Sequence, residues 1–320
     1  MKTKTNRCLY CYKELKEDEK DFHQKCSKAF FGTAIPPTLS LTKDQLNKLA
    51  REIINRSITI PGVQPKLSLH LQKNSADPKK SRLTIVGLWG GYILKPQSER
   101  FNNLPENEDL VMHLAETAGI NTAQHTLLKT ESGQLVYVTK RFDRVHGKKV
   151  PMEDFCQLAG LLSADKYKSS MEKAGALITQ YSSPSTKTAD LIKFFDIALF
   201  SFLVGNSDMH LKNFSLIKDE ENQYRLSPAY DLVCAALAMP SDKEQTALSI
   251  HKKKERIRRY DFVSFGTHIG LTEALIEKTI AKYDKKMQNK YEELTSISFL
   301  PDDLKEKFIA LTKSRFNLFT

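Results

Sequence analysis

Cysteine is scarce in this chain: five residues in 320, an odd number, form no complete disulfide framework and point to reduced thiols. No apolar run approaches the roughly 20 residues that a membrane-spanning helix needs. Met1-Lys2-Thr3-Lys4 leads into a cysteine motif and not into an apolar secretory leader. A membrane-embedded protein and a conventionally secreted one are thereby set aside, and the expected location is the cytoplasm, with no membrane partner. No internal repeat is present, which excludes solenoids and propellers. Acidic residues are outnumbered, 38 Asp and Glu against 49 Lys and Arg, for a net charge of +11. That excess suits polyanionic partners such as nucleotides or nucleic acid, and equally a lysine-rich solvated surface.

What remains is the composition of a soluble globular protein, 40% hydrophobic and 27% charged. Its 320 residues are enough for one large bilobal unit or two domains. The chain is organised around Gly205-Asn206-Ser207-Asp208-Met209-His210-Leu211-Lys212-Asn213, followed by Tyr230-Asp231. Asp208 and Asn213 stand five positions apart, the separation between the catalytic base and the magnesium-binding asparagine of a protein-kinase loop. Phe214 to Ile217 reads as a strand, Lys218 to Gln223 as a charged turn and Tyr224 to Leu226 as a return strand. Such a hairpin brings Asn213 and Asp231 side by side as hard-oxygen ligands for Mg²⁺. Asp208 is then placed to accept a proton from a substrate hydroxyl. His210 and Lys212 are expected to support the transferring group electrostatically. The competing reading is a polar turn at Gly205 to Asp208 and a helix cap at Asp231.

Upstream, alternation on both sides of Pro61-Gly62-Val63-Gln64-Pro65-Lys66 predicts a strand, a loop and a strand, with a glycine that would let backbone approach phosphates. Gly90 to Pro96 sets Lys95 at the end of a short apolar strand, and Glu108 in the following helix is either the carboxylate that orients it or a plain first-turn acid stabilised by the helix dipole. Leu135 to Thr139 reads as a β-branched and aromatic strand running into Lys140-Arg141-Phe142-Asp143-Arg144.

Four ordered blocks, Gly205 to Asn213, Ser227 to Asp231, Ile60 to Ser68 and Arg141 to Arg144, resemble the signature blocks of HipA-type serine/threonine kinases across roughly residues 38 to 320. The resemblance implies an α+β, bilobal, protein-kinase-like fold. Its parts would be an N-terminal Cys/His segment and linker over 1–37, a mostly β lobe over 38–140 and a helical lobe over 141–320. It further implies ATP and Mg²⁺ as cofactors, Pro61 to Lys66 over the phosphates and Lys95 on them. Backbone of Thr139, Lys140, Arg141 and Phe142 would meet adenine, with Asp143 on ribose or holding the hinge. Ser57 and Thr59 would be inhibitory autophosphorylation positions, since a dianion there repels the triphosphate. Only 56 residues precede Ser57, a shortness that looks like the HipT toxins of three-part HipBST systems. A small HipS-like antitoxin and a DNA-binding HipB-like protein are the implied partners, and an aminoacyl-tRNA synthetase the implied protein substrate, with growth arrest as the outcome. A small-molecule or lipid kinase and a non-catalytic nucleotide-binding regulator are the alternatives.

Three further segments carry expectations. Cys8-x2-Cys11 and His23-x2-Cys26 offer three thiolates and an imidazole for a structural Zn²⁺, against a metal-free capping segment. Tyr167 to Thr188, rich in serine, lysine and threonine, reads as a loop or partly ordered insertion. His251 to Arg259 holds six Lys and Arg in nine residues, either a solvated face or a surface for nucleic-acid phosphates.

Overall fold

The computed structural model describes residues 6–39, 45–46, 48–49, 65–74, 76–86, 90–98, 100–145 and 147–319. Ser57, Thr59 and Pro61 to Gln64 lie outside them. The chain forms two compact units: Met1–Asp109 with Ala123–Gly147, and Leu110–Thr122 with Lys148–Thr320.

The first unit is built on a six-stranded sheet of order β1-β3-β2-β4-β6-β5. Its strands are β1 Thr38–Leu39, β2 Leu67–Gln72, β3 Arg82–Ile85, β4 Tyr92–Lys95, β5 His125–Lys129 and β6 Leu135–Lys140. All ladders are antiparallel except the short β1–β3 pair. Helix α1, Gln24–Phe31, precedes the sheet, and helix α2, Leu104–Thr117, follows β4. In β2 Leu67 and Leu69 turn inward, the period-2 pattern of a half-buried strand. Gly90 lets the chain before β4 approach β2: its N–H donates to Ser68 Oγ at 3.2 Å, and a Cβ there would meet Leu69 O at 2.4 Å. Strand β6, paired on both sides by β4 and β5, buries Val136, Tyr137 and Val138 in succession, as a strand covered on both faces must.

The second unit is mainly helical: α3 Phe155–Leu158, α4 Met171–Tyr181, α5 Lys187–Leu203, α6 Ala235–Ala238, α7 Arg259–His268, α8 Glu273–Ala281, α9 Lys285–Ile297 and α10 Asp302–Phe316. Its three-stranded sheet sets β8, Ser215–Lys218, between β7, Met152–Asp154, and β9, Tyr224–Leu226. Helix α5 is apolar on most of its circumference and forms the core, with Phe194 edge-on to Phe214 at 4.8 Å and Phe195 stacked on Phe265 at 5.6 Å. That core fixes the end of α5 from which the Gly205 loop departs.

Tyr167 to Thr188 is not a loop or partly ordered insertion. It contains α4, which buries Met171, Ala174, Gly175 and Ile178, spaced i, i+3, i+4 and i+7 along one face. The polar residues that suggested a loop cover the opposite face, and Ser170 caps the helix by accepting from Lys173 N at 3.2 Å. Helix α3 is short, since Gly160 takes a left-handed φ of 66° and ends it. In the basic run, Lys253 pairs with Asp261, Lys254 with Glu244 and Arg259 with Glu277. Part of that charge is therefore neutralised within the chain.

Candidate active site

The loop after α5 is shaped by its backbone. The N–H groups of Val204, Gly205 and Asn206 return to the carbonyls of Phe200, Phe202 and Ser201 at 3.0, 3.1 and 2.8 Å, closing the helix. Gly205 takes a left-handed φ of 74°, and a Cβ there would lie 2.6 Å from Leu311 Cδ2 and 3.2 Å from Cys234 Sγ. Buried Asn206 then accepts from Asp208 N at 3.1 Å, an Asx turn that presents the Asp208 side chain. The Asp208 carbonyl accepts from His210 N at 2.9 Å and from Asn213 Nδ2 at 3.1 Å. Asp208 and Asn213 are thus tied directly. With its NH₂ committed to that carbonyl, the Asn213 amide turns its Oδ1 away from it, as an oxygen ligand requires.

The hairpin is β8 and β9, with Leu216 opposite Leu226. Tyr230 closes its base: the half-buried phenol donates to Lys212 O at 2.9 Å and lies 2.5 Å from Ser215 Oγ. This bond joins the neighbour of Asn213 to the neighbour of Asp231, whose own backbone is left-handed at φ 56°.

The remaining groups of the loop are not equally charged. Burial holds the His210 imidazole down at about 4, outweighing the nearby Asp208 charge, so it is neutral at pH 7 and not a cation. Its ring meets Tyr167 edge to face at 5.0 Å. The Tyr167 hydroxyl donates to Asp208 Oδ1 at 2.6 Å, and burial together with the Asp208 charge pushes the phenol up, keeping it protonated. Lys212 Nζ lies 2.6 Å from Asp154 Oδ2. Asp154 faces Ser215 across the β7–β8 ladder and caps α3, accepting from Gln157 N at 2.9 Å.

In the first unit Lys95 Nζ is 2.5 Å from Glu108 Oε1, with both side chains buried and the ammonium 5.3 Å from the centroid of the Tyr137 ring. Glu106 contacts Asn103 and Gln97 instead. Pro65 is buried and Lys66 exposed. Along the expected adenine-binding stretch, Lys140 N donates to Gln124 O at 2.8 Å, Arg141 N to Gly91 O at 2.9 Å and Thr139 Oγ1 to Gln124 O at 3.0 Å. The Asp143 carboxylate is clamped by Arg141 and Arg144 at 2.7 and 2.6 Å. Burial pushes that carboxyl up, the two guanidiniums outweigh it, and the net direction is down. The ligand atoms of Cys8, Cys11, His23 and Cys26 all lie within 4.8 Å of one another.

Sequence reasoning missed Tyr167 and Asp154. Asp154 had a readable signal, the D-x-x-Q capping box over Asp154 to Gln157. Tyr167 had none, being 41 residues from its partner.

A family model described as the HipA-like C-terminal domain matches residues 58–291. Y4dM of Sinorhizobium fredii, named as a kinase, is 35% identical over 216 residues, covering 60% of this chain and 51% of that one. The match therefore spans about half the length of that relative. The serine/threonine-protein kinase toxin HipA of Shewanella oneidensis is 25% identical over 287 residues, 81% of this chain and 62% of that protein. Among solved structures, a chain of the Shewanella oneidensis HipA, HipB and operator DNA complex superposes with a TM-score of 0.66 at 22% identity, covering 84% of this chain and 70% of that one. The Helicobacter pylori proinflammatory kinase CtkA gives a TM-score of 0.52 at 15% identity, covering 71% of this chain and 86% of that one. The two superpositions establish a shared α+β, kinase-like fold.

Proposed function

The chain belongs to the HipA-like C-terminal domain family, and on that premise we propose that it is a serine/threonine protein kinase that moves the γ-phosphate of ATP to a protein hydroxyl. The observation that carries this reading is the Asp208–Asn213 tie beside the Tyr230–Lys212 bond. It ties Asp208 to Asn213 and Lys212 to Tyr230, the neighbour of Asp231, which supports a carboxylate base and two oxygen ligands drawn from one loop and hairpin.

Asn213 and Asp231 fit Mg²⁺, a hard cation that takes carboxylate and amide oxygens and keeps waters. When bound, the metal neutralises charge on the β and γ phosphates. The chain's own residues do the rest. Lys95, oriented by Glu108 and shielded from water, supplies a fixed positive charge for phosphate oxygens. Asp208 accepts the proton of the acceptor hydroxyl as it attacks. Neutral His210 donates a hydrogen bond without adding charge, and Lys212, braced by Asp154, keeps the loop seated on β7.

The finer reading rests on the family. A relative is named a serine/threonine-protein kinase toxin, and a solved relative stands in a complex with HipB and operator DNA. We extend this to a toxin whose target is an aminoacyl-tRNA synthetase, restrained by HipB-like and HipS-like partners and by autophosphorylation at Ser57 or Thr59. The test is incubation of the protein with γ-labelled ATP, Mg²⁺ and a cell extract, beside the Asp208→Ala variant. Label on protein serine or threonine with the parent alone is expected. Label only in small molecules or lipid would replace this reading with a small-molecule kinase, and no transfer at all would leave a nucleotide-binding regulator.

A further inference from the structure

Residues 6–31 form a small folded element outside the segment that the family model matches. Asn6 to Leu15 is a hairpin: Arg7 and Glu14 form an antiparallel bridge, and Leu15 N donates to Asn6 O at 2.9 Å. Its tip carries Cys8 and Cys11, closed by Tyr12 N on Cys8 O at 3.0 Å and Cys8 N on Lys13 O at 2.9 Å. His23 stands at the N-cap of α1 and Cys26 in its first turn, with Cys26 N on His23 O at 3.0 Å.

The imidazole settles what these groups can do. His23 Nε2 lies 3.0 Å from the carbonyl oxygen of Glu14, which can only accept, so Nε2 carries the proton. With Nε2 turned to that carbonyl, Nδ1 is the ring nitrogen that faces Cys11 Sγ, 3.5 Å away, and Cys26 Sγ, 3.7 Å away. A tetrahedral zinc with ordinary Zn–S and Zn–N bonds sets sulfur and nitrogen about 3.6 Å apart. Both observed separations match that edge. A backbone carbonyl that fixes the tautomer of a ligating histidine is also the usual outer support of such a site. Cys8 and Cys26 are buried, and four protein ligands leave no position for water, so the site is structural and not catalytic.

The knuckle also reaches the elements that hold the Lys95–Glu108 pair. Tyr12, next to Cys11, donates its hydroxyl to Asp109 Oδ2 at 2.7 Å, one residue beyond Glu108 on α2. The other Asp109 oxygen meets His125 Nδ1 on β5 at 2.9 Å. Leu9 O, between the two cysteines of the tip, accepts from Leu127 N at 3.3 Å and from Thr126 Oγ1 at 3.2 Å. Phe30 and Phe31 of α1 pack on Tyr92, the first residue of the strand that ends at Lys95, with centroids 5.7 and 6.1 Å away.

We infer that Cys8, Cys11, His23 and Cys26 hold one structural zinc ion, and that the zinc-held knuckle fixes β4 and the start of α2 so that Lys95 and Glu108 stay paired. Binding releases the thiol protons to solvent and involves no redox step. The metal site stands on its own geometry, whereas its consequence for catalysis rests on the kinase reading.

The test begins with the full-length protein purified under reducing conditions without added metal, its zinc measured by atomic emission and its apo form titrated with Co²⁺. One zinc per chain, and the intense visible bands of a tetrahedral thiolate-bound Co²⁺, are expected. Cys11→Ser, which removes one sulfur, should lower occupancy and weaken the thiolate-to-cobalt band. Less than a tenth of an equivalent of zinc together with no tetrahedral cobalt spectrum would overturn the site, whatever the variant does. For the second half, hydrogen exchange is compared between loaded and chelated protein. Faster exchange of the Tyr92–Lys95 and Leu104–Thr117 amides on chelation is expected, and identical rates would overturn the coupling. Neither readout depends on phosphotransfer, so failure here is distinct from failure of the kinase assignment.

Discussion

The phenol of Tyr167 donates a 2.6 Å hydrogen bond to Asp208 Oδ1, the oxygen pair to which the kinase reading gives the acceptor proton. An incoming hydroxyl must share or displace that bond. Tyr167→Phe is therefore expected to raise the turnover of protein substrate, by up to about tenfold given the strength of hydrogen bonds to charged groups. Mg-ATP affinity should stay unchanged. Steady-state rates and calorimetric ATP binding check this, and a large loss of turnover would show instead that the phenol orients the base.

The Lys95–Glu108 pair is buried, so breaking it strands a charge. Glu108→Gln is expected to destabilise the protein by about 3 kcal/mol in urea and to abolish phosphotransfer. Replacing both partners, Lys95→Met with Glu108→Leu, should recover most of the stability and none of the activity. Recovery of activity in the double variant would remove the pair from the mechanism.

His210 makes stability depend on pH with a definite sign. Its imidazole is held at about 4 when folded, against about 6.5 for a freely solvated imidazole. The folded state therefore binds fewer protons than the unfolded one between those values, and stability rises with pH through the window. The contribution is full above about pH 6.5 and is lost as pH falls toward 4, up to about 3 kcal/mol by the free energy of each pKa unit. Urea midpoints from pH 7.5 to 4.5 should fall more steeply for the parent than for His210→Gln. Parallel curves would contradict a buried neutral histidine.

Gly205→Ala combines a left-handed φ of 74° with a Cβ 2.6 Å from Leu311 Cδ2. A loss of about 1–3 kcal/mol in denaturant is expected from the torsional cost and the displaced neighbour. Phosphotransfer should fall further than stability alone explains, since the loop carrying Asp208 begins there. A variant as stable and active as the parent would mean that the loop tolerates another backbone path.

Local signals in the chain were reliable. The turn over 218–223 was written in charged and turn-forming residues, and the hairpin formed on either side of it, as Ser215–Lys218 and Tyr224–Leu226. Lys95 at a strand end and Glu108 on the next helix pair as their order suggested, because a short strand followed by a helix leaves few ways to turn back. Composition misled over Tyr167 to Thr188, where the burial period of α4 lay beneath a polar majority. Contacts between distant residues left no trace: Tyr12 with Asp109, Lys212 with Asp154 and Tyr167 with Asp208 are 97, 58 and 41 positions apart. Each is decided by packing of whole elements, which neither periodicity nor spacing encodes.

The most direct measurement is the intact mass of the purified protein and of Asp208→Ala, each shown to begin unphosphorylated, before and after incubation with Mg²⁺ and ATP. A gain of one or two phosphates is expected in the parent, mapping to Ser57 or Thr59, and none in the variant, which still binds ATP. An equal gain in both would contradict Asp208 as the base, and no gain in either would contradict the self-modifying protein kinase.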